Sequence, residues 1–154
     1  MSSEQSNQGE KQVVTLEELL ARAEELRQSI EVLDATLNTY LSHYRELQLA
    51  IDTLKNLDEK PSSGYIVLDR LSSVMIPATI AENWSSSLIV NLGSGFYLKT
   101  NKEKALEILS KRLQGLEKTI NDIQSRRRLL AEEYTSIQRI LSQVFQTQMQ
   151  QETQ

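Results

Sequence analysis

Cysteine is absent from the 154 residues, which excludes a disulfide framework and thiolate chemistry and suits a reducing interior. Histidine occurs once, at His43. With no cysteine beside it, a transition-metal site or a histidine-based triad lacks its partners. Aromatic residues make up 5% of the chain, and proline occurs twice, at Pro61 and Pro77. No run approaches the roughly 20 apolar residues of a membrane span. The opening MSSEQSNQGEKQ has no apolar region of the secretory type, so no signal segment is expected. A net charge of −4 argues against nucleic acid as the main partner. Acidic side chains are spread along helical patterns and not gathered in pairs, which leaves two-carboxylate catalysis without support. Gly93-Ser94-Gly95 lacks the G-x-x-x-x-G-K-[ST] pattern of a phosphate loop and reads as a hairpin turn. The expectation is a cytoplasmic protein that is not an enzyme, with no cofactor, no metal, no nucleic-acid partner and no membrane partner.

Two long heptad patterns are present. Thr15-Leu16-Glu17-Glu18 has the T-x-x-E form of a capping box and predicts a helix start. From there Leu16, Leu19, Ala23, Leu26, Ile30, Leu33, Leu37, Tyr40, Tyr44, Leu47, Ile51 and Leu54 alternate spacings of three and four without a break. This is the period of a coiled-coil seam, and at the helical rise it extends for roughly 60 Å. Pro61 ends the pattern. Thr100-Asn101-Lys102-Glu103 is a second T-x-x-E box, followed by a seam at Leu106, Leu109, Leu113, Leu116, Ile120, Ile123, Arg127, Leu130, Tyr134, Ile137, Leu141 and Val144. Paired seam residues have numbers that add to 160, from Leu16 with Val144 to Leu54 with Leu106, as an antiparallel hairpin requires. Thr15–Leu57 holds eight acids and four bases, while Lys102–Phe145 holds six acids and nine bases, so charge favours the same pairing.

Between the helices lies the stretch Gly64 to Thr100, rich in β-branched and aromatic residues and carrying Gly64, Gly93 and Gly95. Strands are expected at Tyr65–Asp69, Val74–Ile80, Ser87–Leu92 and Phe96–Thr100, with turns at Arg70–Ser73 and Gly93–Gly95. Pro77 has no N–H to donate and belongs at an edge or irregular position. Two short hairpins are not stable alone in water and need strands from other subunits. The domain plan is therefore a disordered tail over 1–14, a coiled-coil helix over 15–60, a double β-hairpin oligomerisation region over 61–100, a second helix over 101–145 and a Gln-rich tail over 146–154.

Some residues carry two readings. Arg127 sits in the seam opposite Leu33, where it either fixes register or packs its stem and lets the guanidinium reach water. Arg126-Arg127-Arg128 points three ways on a helix and reads as a solvated face. Trp84 either covers a β surface or sits exposed in the link between hairpins. Gly115 lies in the second helix outside the seam and permits a bend or a close neighbour. At the free helix ends, Val13, Val14, Leu16, Leu19 and Leu20 meet Leu141, Val144, Phe145 and Met149. Leu20, Phe145 and the valines exceed what a two-stranded seam buries, so the ends are either frayed or an apolar tip that contacts another molecule.

At SSVMIPATI, Ser72–Ile80, and LIVNLGSGFYLKTNKEKA, Leu88–Ala105, the chain resembles the prefoldin family, in its archaeal alpha class. The second run is similar to the family pattern V-x-x-G-x-G-Y-x-V-E-K-x-x-E-x-A, with Phe96-Tyr97 in the aromatic place. LDRL at Leu68–Leu71 stands where the family usually has a V-P-L-G or V-P-L-T turn. The resemblance covers helix, two hairpins and helix; a beta-class subunit would have one hairpin. It implies a mainly α, prefoldin-like fold in which a long antiparallel two-helix coiled coil carries two β-hairpins at its apex. The hairpins would form an oligomeric β-barrel in a hexamer of two alpha and four beta subunits. It also implies an ATP-independent holdase that captures unfolded proteins at the coiled-coil tips and delivers them to a group II chaperonin. Subunit assembly then falls to Ile66, Leu68, Val74, Ile76, Leu88, Val90, Leu92, Phe96 and Leu98. The alternative is a structural coiled-coil adaptor that tethers one folded partner.

Overall fold

A computed structural model describes residues 14–151. The element order is helix α1 (Leu16–Asn56), strands β1 (Ser62–Val67) and β2 (Met75–Ile80), a 3-10 turn at Trp84–Ser86, strands β3 (Leu88–Gly93) and β4 (Phe96–Thr100), and helix α2 (Lys102–Gln151). This is the mainly helical, two-hairpin architecture that the heptads and β clusters predict.

α1 begins at the expected capping box. The Glu18 N–H donates to Thr15 Oγ1 at 3.2 Å, and the Thr15 N–H returns to Glu18 Oε2 at 2.8 Å. Those bonds, the Thr15 amide first, hold the Glu18 carboxyl below its ordinary value. α2 starts differently from the second T-x-x-E reading. Thr100 is still paired with Leu88 in β4, so Asn101 provides the cap: its Oδ1 accepts the Lys104 N–H at 2.9 Å. The C-terminal boundary is also corrected. α2 continues to Gln151, past the Gln146 at which the tail was expected, because Gln is a good helix former. Residues 1–13 of the N-terminal tail lie outside the described residues.

The chain divides into two units. The first joins α1 up to Leu37 with α2 from Asp122. Its two helix segments are antiparallel around Ala23, Leu26, Ile137 and Leu141, with Leu16, Leu19, Leu130 and Tyr134 packed against them. Seam residues whose numbers add to 160 fall in this one cluster: Leu19 with Leu141, Ala23 with Ile137 and Leu26 with Tyr134. The Arg22 Nε bond to Glu133 Oε1 at 2.8 Å and the Arg127–Asp34 pair join the same segments from their flanks.

The second unit, Asn38–Asn121, holds the four strands and the inner parts of both helices. Ile51, Ala105 and Ile120 are buried there. β1 pairs with β2 from Ser62↔Ile80 to Val67↔Met75, and β3 pairs with β4 from Leu88↔Thr100 to Gly93↔Phe96, with a bulge after Asn91. The strands start or stop within three residues of their expected bounds. The β3–β4 turn needs positive φ at Gly93, Ser94 and Gly95, which explains the two glycines. The β1–β2 turn uses no glycine. Asp69 closes it instead, its Oδ1 accepting the Ser73 N–H at 2.8 Å while Ser72 takes a φ of 57°. LDRL thus closes its turn through the Asp69 side chain.

Candidate functional site

Two apolar surfaces stand out, one in each unit. In the first unit the residues expected at the tip separate by burial. Leu141 is 4% exposed and belongs to the core, and Leu16 and Leu19 pack against that core. Leu141 therefore packs within the helical pair and supports this end from inside. Val144 is half-buried. Val14, Leu20, Phe145 and Met149 are exposed, and Val13 lies outside the described residues. Ile140 is exposed beside them, though it lies off the seam and the sequence reading passed over it. The heptad count could have found it: an isoleucine immediately before seam residue Leu141 has no seam place.

Salt bridges lie farther along the same helical pair. Arg27 holds Glu24 and Glu31 on α1, and the Arg27 hydrogen bond pulls the Glu24 carboxyl down to about 2. Arg127 carries out the solvent-reaching reading with a specific partner. Its guanidinium leaves the seam and grips both carboxylate oxygens of Asp34, the Nη2 bond being 3.2 Å. That hydrogen bond, then the charge of Asp34, raises the Arg127 pKa.

In the second unit the two hairpins differ. On β3–β4, Val90 is 7% exposed, and Leu54, Leu88, Val90, Ala105 and Leu109 line one groove with Arg112. Arg112 Nη1 donates to the Asn91 carbonyl at 2.6 Å and ties β3 to α2. Val90, expected as an assembly contact, is therefore taken up inside the chain. Its neighbour Leu88 is half-buried. Leu92, Phe96 and Leu98 remain exposed. On β1–β2, Ile66, Leu68, Val74 and Ile76 are all exposed. So are Tyr65, Val67 and Met75 on the opposite face, which the sequence reading did not single out. The signal was present: YIVL and VMI are unbroken apolar runs, the pattern of strands covered on both sides.

Trp84 takes a defined place. Its indole N–H donates to the Asp58 carbonyl at 2.8 Å, just beyond α1, and the Lys102 ammonium at the start of α2 lies 5.4 Å from its ring centroid. Lys102 also reaches Glu59 at 3.7 Å. The link between hairpins is thereby pinned where both helices meet the strands. Gly115 has no heavy atom within 4 Å of where a Cβ would stand, so no neighbour in this chain requires it. His43 is exposed, with its ring edge-on to Tyr40 at 6.4 Å. Among the described residues no group of three or more His, Cys, Asp or Glu side chains is placed to hold a metal. No helix of the described residues is long and apolar enough to cross a membrane.

The prefoldin subunit family matches residues 26–147. A prefoldin alpha subunit from Metallosphaera sedula is 31% identical over 88% of this chain and 93% of its own length. Prefoldin alpha subunits from Nitrosopumilus maritimus and Saccharolobus solfataricus are 27% and 25% identical, over 84% and 86% of this chain and 92% and 89% of their own lengths. Among solved structures, a chain of filamentous PFD from Methanocaldococcus jannaschii has a TM-score of 0.40 at 18% identity, covering 84% of this chain and 94% of that one.

Proposed function

Because the chain belongs to the prefoldin family and is similar to its archaeal alpha subunits over most of its length, we propose that it is a holdase subunit that works without ATP in the cytoplasm. Unfolded proteins are captured by the apolar end of the helical pair and passed to a group II chaperonin. Two copies of this chain and four beta subunits form the complex, with the hairpins closing a β-barrel.

The observation that carries the reading is the exposed set Val14, Leu20, Ile140, Phe145 and Met149, seated on a buried support of Leu26, Ile137 and Leu141. An apolar rim on a rigid base offers many shallow contacts. Each is weak, and several arms acting together bind through high effective concentration. Such contacts need no particular client sequence, only apolar surface, which is what unfolded chains share. The hairpins support the assembly half of the reading, since β1–β2 exposes apolar side chains on both faces.

The test is a triple variant, Leu20→Ser, Phe145→Ser and Met149→Ser, assembled with a beta subunit. Native mass spectrometry should give the same complex of two and four, while light scattering shows lost protection of an aggregating client. A variant that protects as well as the natural chain would sink the capture reading. A different stoichiometry would sink the assembly reading alone.

A further inference from the structure

We infer that the apolar helix end selects among unfolded chains by charge, taking apolar segments flanked by lysine or arginine ahead of those flanked by aspartate or glutamate. This rests on the reading of that end as the capture surface and names the class of client it takes.

The charge of the chain is unevenly placed. Of its 21 acids and 17 bases, five acids and one base fall in the segments 1–20 and 140–154: Glu4, Glu10, Glu17, Glu18 and Glu152 against Lys11. Residues 21–139 hold the other 16 acids and 16 bases and are neutral as a whole. The net charge of −4 therefore belongs to the two segments that carry the apolar rim. On α2 the rim stands in a stretch without charge, for Ile140–Gln151 has neither acid nor base. Among the described residues the rim takes its charge from α1, where Glu17 and Glu18 are both exposed.

The local geometry keeps this end negative. Glu17 stands three residues before Leu20, so the two side chains are neighbours on the helix surface. The seam rule of 160 sets Glu17 level with Gln143, between Ile140 and Phe145. Glu18 accepts from the Thr15 N–H at 2.8 Å and from Thr15 Oγ1 at 3.0 Å, bonds that favour its ionised form. The bases closest in the chain do not offset the pair. Arg22 donates to Glu133 and to Glu25, each at 2.8 Å, so two carboxylates share its charge. Arg139 is level with Ala21 at the inner border, six residues before Phe145 and so about 9 Å from it along the helix. The helix dipoles offset each other, because α1 brings its N-terminus and α2 its C-terminus to the same end.

An apolar rim alone does not distinguish one apolar segment from another. A carboxylate beside it does. It attracts a lysine or arginine that borders the bound segment and repels an aspartate or glutamate, within a screening distance of about 10 Å at 0.1 M salt. One exposed charge pair changes affinity by up to about fivefold. Two carboxylates that act in opposite senses on the two classes of segment separate them by about tenfold.

The test uses the complex of this chain with beta subunits and two fluorescent peptides. Both share one apolar core, flanked by lysines in the first and by glutamates in the second. In anisotropy titrations at about 0.1 M salt the lysine peptide should bind about tenfold tighter. In about 1 M salt the ratio should fall to within about twofold while binding persists, since screening removes the charge effect and leaves the apolar one. Glu17→Gln with Glu18→Gln removes both charges, and glutamine at position 18 still serves the capping box. That double variant should lower the ratio to within about twofold in 0.1 M salt. Glu46→Gln with Glu103→Gln removes the same charge from exposed positions of the other unit and should leave the ratio unchanged. Equal binding of the two peptides, tighter binding of the glutamate peptide, or an undiminished ratio in the Glu17 and Glu18 variant overturns the inference and leaves the capture reading standing. If the intact complex binds neither peptide, the capture reading fails and the charge preference with it.

Discussion

The two hairpins are close in length and similar in apolar content, and they are held in unlike ways. β3–β4 has a seated face: Val90 is buried in the groove with Leu54, Ala105 and Leu109, and Arg112 bonds the Asn91 carbonyl. β1–β2 has no seated face. Tyr65 is 72% exposed on one side and Ile66 52% on the other, and no described residue covers either. A two-stranded sheet in that state is marginal in water. Apolar side chains in a strand thus have two different uses here. In one hairpin they bind the strand to its own helices, and in the other they stay exposed.

The largest effects should separate those uses. Val90→Asp places a carboxylate where a valine is buried and should destabilise the isolated chain by about 4 kcal/mol or more, read as a collapse of its thermal transition. Ile76→Asp changes an exposed side chain and should leave the isolated chain within about 0.5 kcal/mol of the natural one, while the assembled complex disappears from native mass spectra. If Ile76→Asp melts the isolated chain as Val90→Asp does, the two hairpins are not different in kind. Arg112→Ala removes one exposed charged donor from β3 and should loosen β3–β4 by about 1 kcal/mol, seen as faster amide exchange at Val90 and no change at Ile66.

Acid should act on the opposite hairpin. The Ser73 amide holds the Asp69 carboxyl below its ordinary 3.8 in the β1–β2 turn. A carboxyl whose folded value is depressed adds stability that is complete above the unfolded value and is lost as pH falls through the folded one. Below pH 3.8 the β1–β2 turn should therefore open, followed by the Ser73 amide shift in NMR spectra. The β3–β4 turn, built on Gly93 and Gly95, has no titrating group and should not respond. Gly115→Ala is the smallest of these changes. With open space around the missing Cβ it should stabilise α2 by up to about 1 kcal/mol, measured by denaturant melts, and leave both hairpins unaltered.

Much of this was legible in the amino acids because coiled coil is a periodic code. The seam, its antiparallel register and the start of α1 follow from spacing alone, since a heptad stripe has one face to bury. Strands were harder to read. LIVNL and YIVL both carry apolar residues on both sides, and composition does not say which strand an adjacent helix will cover, so Val90 read as an interface residue. The cap of α2 was displaced by one residue because ladder pairing at Thr100 took precedence over its local capping preference. Asp34 as the partner of Arg127 was within reach, for it adjoins the residue that the seam sets opposite. At the helix ends, pattern alone could not divide support from rim: Leu141 and Phe145 are four residues apart on α2, and one is buried while the other is half exposed.

Trp84 gives the molecule a spectroscopic label of its own. It is the single tryptophan, with its indole N–H fixed to a carbonyl and an ammonium set over its ring. Release of that ring into water should shift its emission to longer wavelength, whereas far-ultraviolet ellipticity is dominated by the two long helices. Recording both signals during a single thermal ramp would resolve the unit that holds the strands from the bulk of the helix, with no dye and no second construction of the gene.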